Sequence, residues 1–120
     1  MSLTLTRAIP LNVHVALEMV AAPILMVVPL FSGASPMIGV VSFLIGALLL
    51  GLAASTLGQR TVVPLSAHPA FDNVLAAAMV LAAIAALAAG DGVIAAFLAG
   101  FGAAQVVLTA STRWSIPAGA

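Results

Sequence analysis

The chain has 120 residues, of which 64% are hydrophobic and 5% charged; three arginines balance three acids, and there is no cysteine. With a mean hydropathy of +1.33, it lacks the polar residues needed to cover a soluble domain, so lipid is its expected solvent. Zero net charge excludes nucleic-acid binding through a basic surface, and the absence of cysteine excludes disulfides, thiolate metal sites and cysteine nucleophiles.

Arg7 precedes an apolar run, and Ala21-Ala22 has the look of a processing site. A cleaved signal peptide is nevertheless not expected, because Pro10, His14 and Glu18 interrupt the place where its apolar core belongs. The stretch Pro10-Leu11-Asn12-Val13-His14-Val15-Ala16-Leu17-Glu18 also returns as Pro64-Leu65-Ser66-Ala67-His68-Pro69-Ala70-Phe71-Asp72. A proline, a leucine, a histidine and a carboxylate keep one register. That register continues without a gap until Phe43-Leu44-Ile45-Gly46 meets Phe97-Leu98-Ala99-Gly100. A discarded leader would have no reason to match a later segment, so the chain reads as a tandem repeat.

Four segments reach the ~20 residues that span a bilayer core: 13–31, 37–56, 70–89 and 93–110. Ser32-Gly33-Ala34-Ser35-Pro36 turns the first pair and Gly90-Asp91-Gly92 the second, both rich in residues suited to tight turns. The expected fold is an all-α membrane protein: one four-helix transmembrane domain over residues 1–120, with hairpin repeats at 10–56 and 64–110. An even number of spans per repeat makes the repeats parallel, related by a pseudo-twofold axis along the membrane normal. Helices 1 and 3 then run in the same direction with their histidines at similar depth.

Arg7, Arg60 and Arg113 fall on one side of a four-span chain, and neither hairpin turn carries a cation. The positive-inside rule places both termini in the cytoplasm of a bacterial inner-membrane protein, with Trp114 as an anchor at the headgroups. Each arginine leads to a β-branched residue and a proline, as in Arg7-Ala8-Ile9-Pro10, Arg60-Thr61-Val62-Val63-Pro64 and Arg113-Trp114-Ser115-Ile116-Pro117. Pro10 and Pro64 suit the first position of a helix, and Pro69 can reset the start of helix 3. Pro23 and Pro29 should kink helix 1, freeing the carbonyls of Met19 and Leu25 either as ligands or simply as a packing bend. Small residues at Ala22, Gly46, Ala76, Ala96, Gly100 and Ala104 allow close helix packing in lipid, while helix 2 offers bulk to acyl chains through Phe43, Leu44, Leu48, Leu49 and Leu50.

Four-residue spacing puts His14 and Glu18 on one face of helix 1, and His68 and Asp72 on one face of helix 3, each pair separated by about 6 Å of rise. Below them lie Ala22 and Ala76, small enough for the two polar faces to meet. Ionisable groups at such depth face protein or water. Two imidazoles and two carboxylates suit zinc, iron or manganese; two parallel histidines suit a haem or related pigment; and the same groups could relay protons. The plain structural alternative pairs each histidine with the acid on its own helix, near the helix's positive end. Gln105 reads as an interhelical hydrogen-bond donor, with Thr109, Ser111 and Thr112 marking the end of helix 4. No nucleophile constellation or phosphate loop is present.

Isoleucine or valine before proline, a spaced histidine, an acid four residues on and a two-span hairpin together resemble the SPW-repeat small integral membrane proteins of bacteria. Ile9-Pro10, His14 and Glu18, then Val63-Pro64, His68 and Asp72, carry the likeness. Ser35-Pro36-Met37 and Ala89-Gly90-Asp91 stand where that family's Ser-Pro-Trp would be expected. The resemblance implies a four-span repeat and no particular activity. With little of the chain outside lipid, the leading expectation is a non-enzymatic accessory or assembly protein without a cofactor, packing against its own copies or a larger membrane complex. The alternative is a metal-, haem- or pigment-binding, or ion-handling, protein centred on His14, Glu18, His68 and Asp72.

Overall fold

A computed structural model describes residues 7–57 and 64–115. Arg60, the Val62-Val63 pair and Ile116-Pro117 lie outside the described residues. Four helices follow in order: α1 Leu11–Phe31, α2 Pro36–Leu57, α3 His68–Ala88 and α4 Gly92–Ser111. Each is long and apolar enough to cross a membrane. They pack as two hairpins, α1 on α2 and α3 on α4; α2 also lies along α3, whereas α1 meets α4 over a shorter length.

Local chemistry sets the ends. Pro10 precedes α1 in extended backbone, the conformation that admits a proline before a helix. Pro64 does not start α3: Ala67 N–H donates to Pro64 O at 2.9 Å and His68 N–H to Leu65 O at 3.3 Å in a turn, and the helix begins at His68 with Pro69 in its first turn. Gly33 and Gly90 take φ of +83° and +84° in the two hairpin turns, which glycine accepts without a Cβ clash. Ser35 Oγ then accepts from Ile38 N–H at 3.4 Å, and Asp91 Oδ1 from Ile94 N–H at 3.1 Å. Both are N-caps three residues before the donor they satisfy.

These caps show that the two repeats do not keep one register. His14 and His68 stand 54 positions apart, but Ser35 and Asp91 stand 56 apart, as do Gly46 and Gly102. Helices α1 and α3 both have 21 residues, but α3 starts at its histidine and so ends further beyond it, and its turn is shorter, so α4 is displaced by two residues against the gap-free alignment. Gly46 packs on Ala22 and Met26 as expected, whereas the glycine that packs in the second hairpin is Gly102, against Ala76, Met79 and Val80. Gly100 has nothing within 4 Å of where a Cβ would stand. Ala96, Gly100 and Ala104 point outward, which corrects their expected role inside this bundle.

Helix α1 remains continuous through Pro23 and Pro29. The carbonyl of Leu25, freed by Pro29, accepts the Ser42 hydroxyl of α2 at 2.6 Å, so this proline serves packing. On α2, Phe43, Leu44 and Leu48 face outward, but Leu49 is fully buried. Ile9 crosses to the end of α4: its N–H donates to Ser111 O at 3.0 Å and its carbonyl accepts from Arg113 N–H at 2.9 Å. The chain segments entering α1 and leaving α4 are thereby tied together at one end of the bundle.

Candidate metal centre between the hairpins

His14, Glu18, His68 and Asp72 are all fully buried, and the structure brings them together. No Cα atom of α1 comes within 8 Å of one of α3, so Ala22 and Ala76 do not pack closely, contrary to the expected close approach. Those alanines face α2 and α4 instead. The gap across the bundle is filled by the four polar side chains, long enough to reach one another where the backbones cannot.

They form a closed ring of alternating nitrogen and oxygen. His14 Nε2 lies 3.1 Å from Glu18 Oε1 and 3.0 Å from Asp72 Oδ2. His68 Nε2 lies 3.1 Å from the same Glu18 oxygen and 3.3 Å from the same Asp72 oxygen. The pairing within each helix is therefore real, and it is only half of the arrangement. One candidate ligand atom from each residue lies within 4.8 Å of all the others. Around a tetrahedral ion with bonds of about 2.0–2.1 Å, neighbouring ligand atoms stand about 3.3–3.4 Å apart. The four nitrogen–oxygen edges come within a few tenths of an ångström of that spacing, and the nitrogen–nitrogen and oxygen–oxygen separations are held within 4.8 Å.

Uncharged groups from α2 and α4 hold the ring from behind. His68 Nδ1 lies 2.8 Å from Thr56 Oγ1, and His14 Nδ1 lies 2.7 Å from Thr112 Oγ1. Gln105 Nε2 donates to Glu18 Oε2 at 2.8 Å, the interhelical role expected of it, now at the site. Among the described residues Asp72 Oδ1 has no such donor and is buried without a partner; the position on α2 corresponding to Gln105 is Leu49, 56 residues earlier. An unpaired buried carboxylate oxygen is costly, and a water behind the ring would satisfy it.

Trp114, expected at the membrane surface, turns inward. Its ring centroid is 4.6 Å from that of His14 and 5.0 Å from that of His68, and its Nε1–H donates to Thr109 O at 3.1 Å. The two imidazoles are 5.6 Å apart, edge to face at 79°. No slot for a flat macrocycle exists between rings this close, with a carboxylate oxygen on either side of each Nε2. The arrangement fits an ion and does not fit a haem or related pigment. Trp114 is the sole tryptophan, which gives a direct readout. Binding of Co²⁺ or Ni²⁺ is expected to quench its fluorescence in proportion to occupancy, and an unchanged emission under saturating metal would count against an ion at the ring.

Fold and site together define an all-α protein of four helices apolar enough to cross a membrane, with a buried two-histidine, two-carboxylate cluster joining its hairpins. No family model, curated protein or solved structure matches the chain.

The sequence singled out all four ring residues, and it missed Thr56 and Thr112 as their partners and Trp114 as their cover. The threonines carried a signal: each ends the second helix of its hairpin. The gap-free register pairs Thr56 with Ala110, which hides their equivalence.

Proposed function

We propose that the protein is a multi-pass protein of the bacterial cytoplasmic membrane that binds one divalent transition-metal ion at His14, Glu18, His68 and Asp72. The observation that carries this reading is the convergence of four potential ligands, two from each hairpin, on one buried point. Neutral imidazoles and ionised carboxylates together carry two negative charges, which one divalent ion balances. Nitrogen and oxygen donors without sulfur suit zinc, iron(II), cobalt(II) or manganese(II). Because the protein supplies all four ligands and Trp114 covers them, the set resembles a closed structural site rather than a catalytic one with an open position. The role is thus non-enzymatic: an ion that staples two hairpins of an accessory or assembly protein. Exposed Arg7 and Arg113 at the end where the segments entering α1 and leaving α4 are joined, with no cation in either turn, support cytoplasmic termini. The resemblance to SPW-repeat proteins supports a bacterial membrane.

Metal analysis of protein purified in detergent, followed by chelation and titration with Zn²⁺, tests the reading. Uptake of about one equivalent per chain is expected for a single four-ligand site. If neither zinc nor cobalt, iron(II) or manganese(II) is retained, the ring is an ion-paired staple closed by shared protons.

A second reading, association with another copy or with a membrane partner, draws on the outward Ala96-Gly100-Ala104 ridge of α4. Small residues at four-residue spacing let helices approach in lipid. Gly100 faces outward and a Cβ there meets nothing within 4 Å among the described residues, so Gly100→Leu should leave the bundle and its metal intact while dissociating any oligomer. An unchanged mass in detergent, measured by light scattering, would remove this ridge from consideration.

A further inference from the structure

We infer that Thr56 and Thr112 are the positioning residues of the metal site: each fixes one imidazole with its proton on Nδ1 and turns Nε2 toward the ion. The inference rests on the metal-binding reading above and adds which ring nitrogen is the ligand and what selects it.

A threonine hydroxyl has one proton. Thr112 Oγ1 lies 2.6 Å from Leu108 O and donates to that carbonyl; Thr56 Oγ1 donates to Leu52 O at 3.2 Å. Carbonyl oxygens cannot donate, so at 2.6 Å the Thr112 proton is committed to Leu108; the longer 3.2 Å contact lets Thr56 follow the same pattern toward Leu52. Toward the histidines the two oxygens can only accept. With the hydroxyl protons placed on the carbonyls, His14 Nδ1 at 2.7 Å and His68 Nδ1 at 2.8 Å carry the protons of these contacts. In a neutral imidazole that leaves the lone pair on Nε2, the nitrogen facing Glu18 and Asp72. Metal-bound histidines commonly fix their tautomer through the ring nitrogen opposite the metal.

The arrangement occurs twice, each time across the hairpin boundary. Thr56 of the first hairpin holds His68 of the second, and Thr112 of the second holds His14 of the first. The carbonyls that receive their protons, Leu52 and Leu108, are 56 residues apart, as the threonines are. Bonding to the carbonyl four residues back is common for threonine in helices and by itself signifies nothing. Here both hydroxyl oxygens also meet the far nitrogens of the two imidazoles whose near nitrogens face the same carboxylate pair.

Thr56→Val and Thr112→Val keep side-chain shape and remove the acceptor; Thr56→Ser and Thr112→Ser keep the hydroxyl. Zinc affinity of the full chain in detergent, measured by competition with a chromophoric chelator, is expected to fall roughly 10- to 100-fold in each valine variant. The serine variants should stay close to wild type. Valine variants that remain helical and bind zinc as wild type does would overturn the inference, as would serine variants no better than valine. Nitrogen NMR of the imidazoles supplies a readout without metal: Nδ1 of His14 and His68 should carry a proton in the wild type. A bare Nδ1 on either ring would overturn the inference even where zinc binds. Failure of wild-type protein to bind zinc, with Nδ1 protonated, would instead overturn the metal reading and leave the orienting role standing.

Discussion

His14→Ala and His68→Ala are each expected to weaken zinc binding by about two orders of magnitude, and together to abolish it. Apparent binding free energies of structural zinc sites run to about 10–16 kcal/mol, which over four ligands is about 3 kcal/mol each. At 1.4 kcal/mol per tenfold that is about a hundredfold for one lost imidazole. The same substitutions leave a buried carboxylate pair with one imidazole fewer, and removing one partner of a buried charge pair costs about 3–5 kcal/mol. The variants should therefore also unfold at lower denaturant even without metal. Circular dichroism separates the effects: a variant that keeps its helix content and still binds zinc as tightly as wild type would contradict the assignment of that histidine. Equal losses from His14 and His68 are expected, since each Nε2 sees the same two oxygens at 3.0–3.3 Å.

The largest effect on stability away from the ring is expected at Gly46. A Cβ there would stand 2.7 Å from both Ala22 O and Met26 Cγ, and 3.0 Å from Met26 N. Two of these three atoms are backbone, so α1 and α2 must separate to admit a methyl group. Overpacking of a close contact costs about 1–3 kcal/mol, and Gly46→Ala should lie at the upper end. Gly102→Ala should cost less: its nearest atoms are Val80 Cγ2 at 3.1 Å, Ala76 O at 3.2 Å and Met79 Cβ at 3.3 Å. Gly100→Ala, with open space around it, should be neutral or stabilising, as alanine is a better helix former. Equilibrium unfolding in mixed detergent orders the three. A Gly100→Ala variant less stable than Gly46→Ala would refute the helix contacts described here.

How far these contacts could be read from the sequence depends on the kind of signal each left. The repeat, the four helices and the His14, Glu18, His68 and Asp72 set were legible because a polar residue in an apolar segment stands out, and two such pairs at one spacing are hard to mistake. The inner face of α4 was not. It runs through Ile94, Leu98, Gly102, Gln105 and Thr109, whereas the small residues drew attention to Ala96, Gly100 and Ala104. In water an outward face is polar and so reveals the inward one; in lipid both are apolar and the contrast is lost. Gln105 and Thr109 held the better clue, because polar side chains turn away from lipid. The two-residue displacement between repeats was masked by Phe97-Leu98-Ala99-Gly100, which imitates Phe43-Leu44-Ile45-Gly46 in letters while presenting different faces. Once the displacement is recognised, Thr56 and Thr112 fall into equivalent places, as do Gly46 and Gly102.

The ring takes half its members from each hairpin, and this has a thermodynamic consequence. An ion held by all four residues binds only the assembled bundle, so ion affinity and hairpin association are linked quantities. For a ligand specific to the folded form, a free concentration a thousand times its dissociation constant adds about 4.1 kcal/mol to that form. Elsewhere α1 meets α4 over only a short length, leaving a largely apolar groove between them whose polar end is Glu18 and Gln105. That seam has the least packing to keep it shut. Under the proposed metal binding, chelating the ion is expected to loosen that seam first.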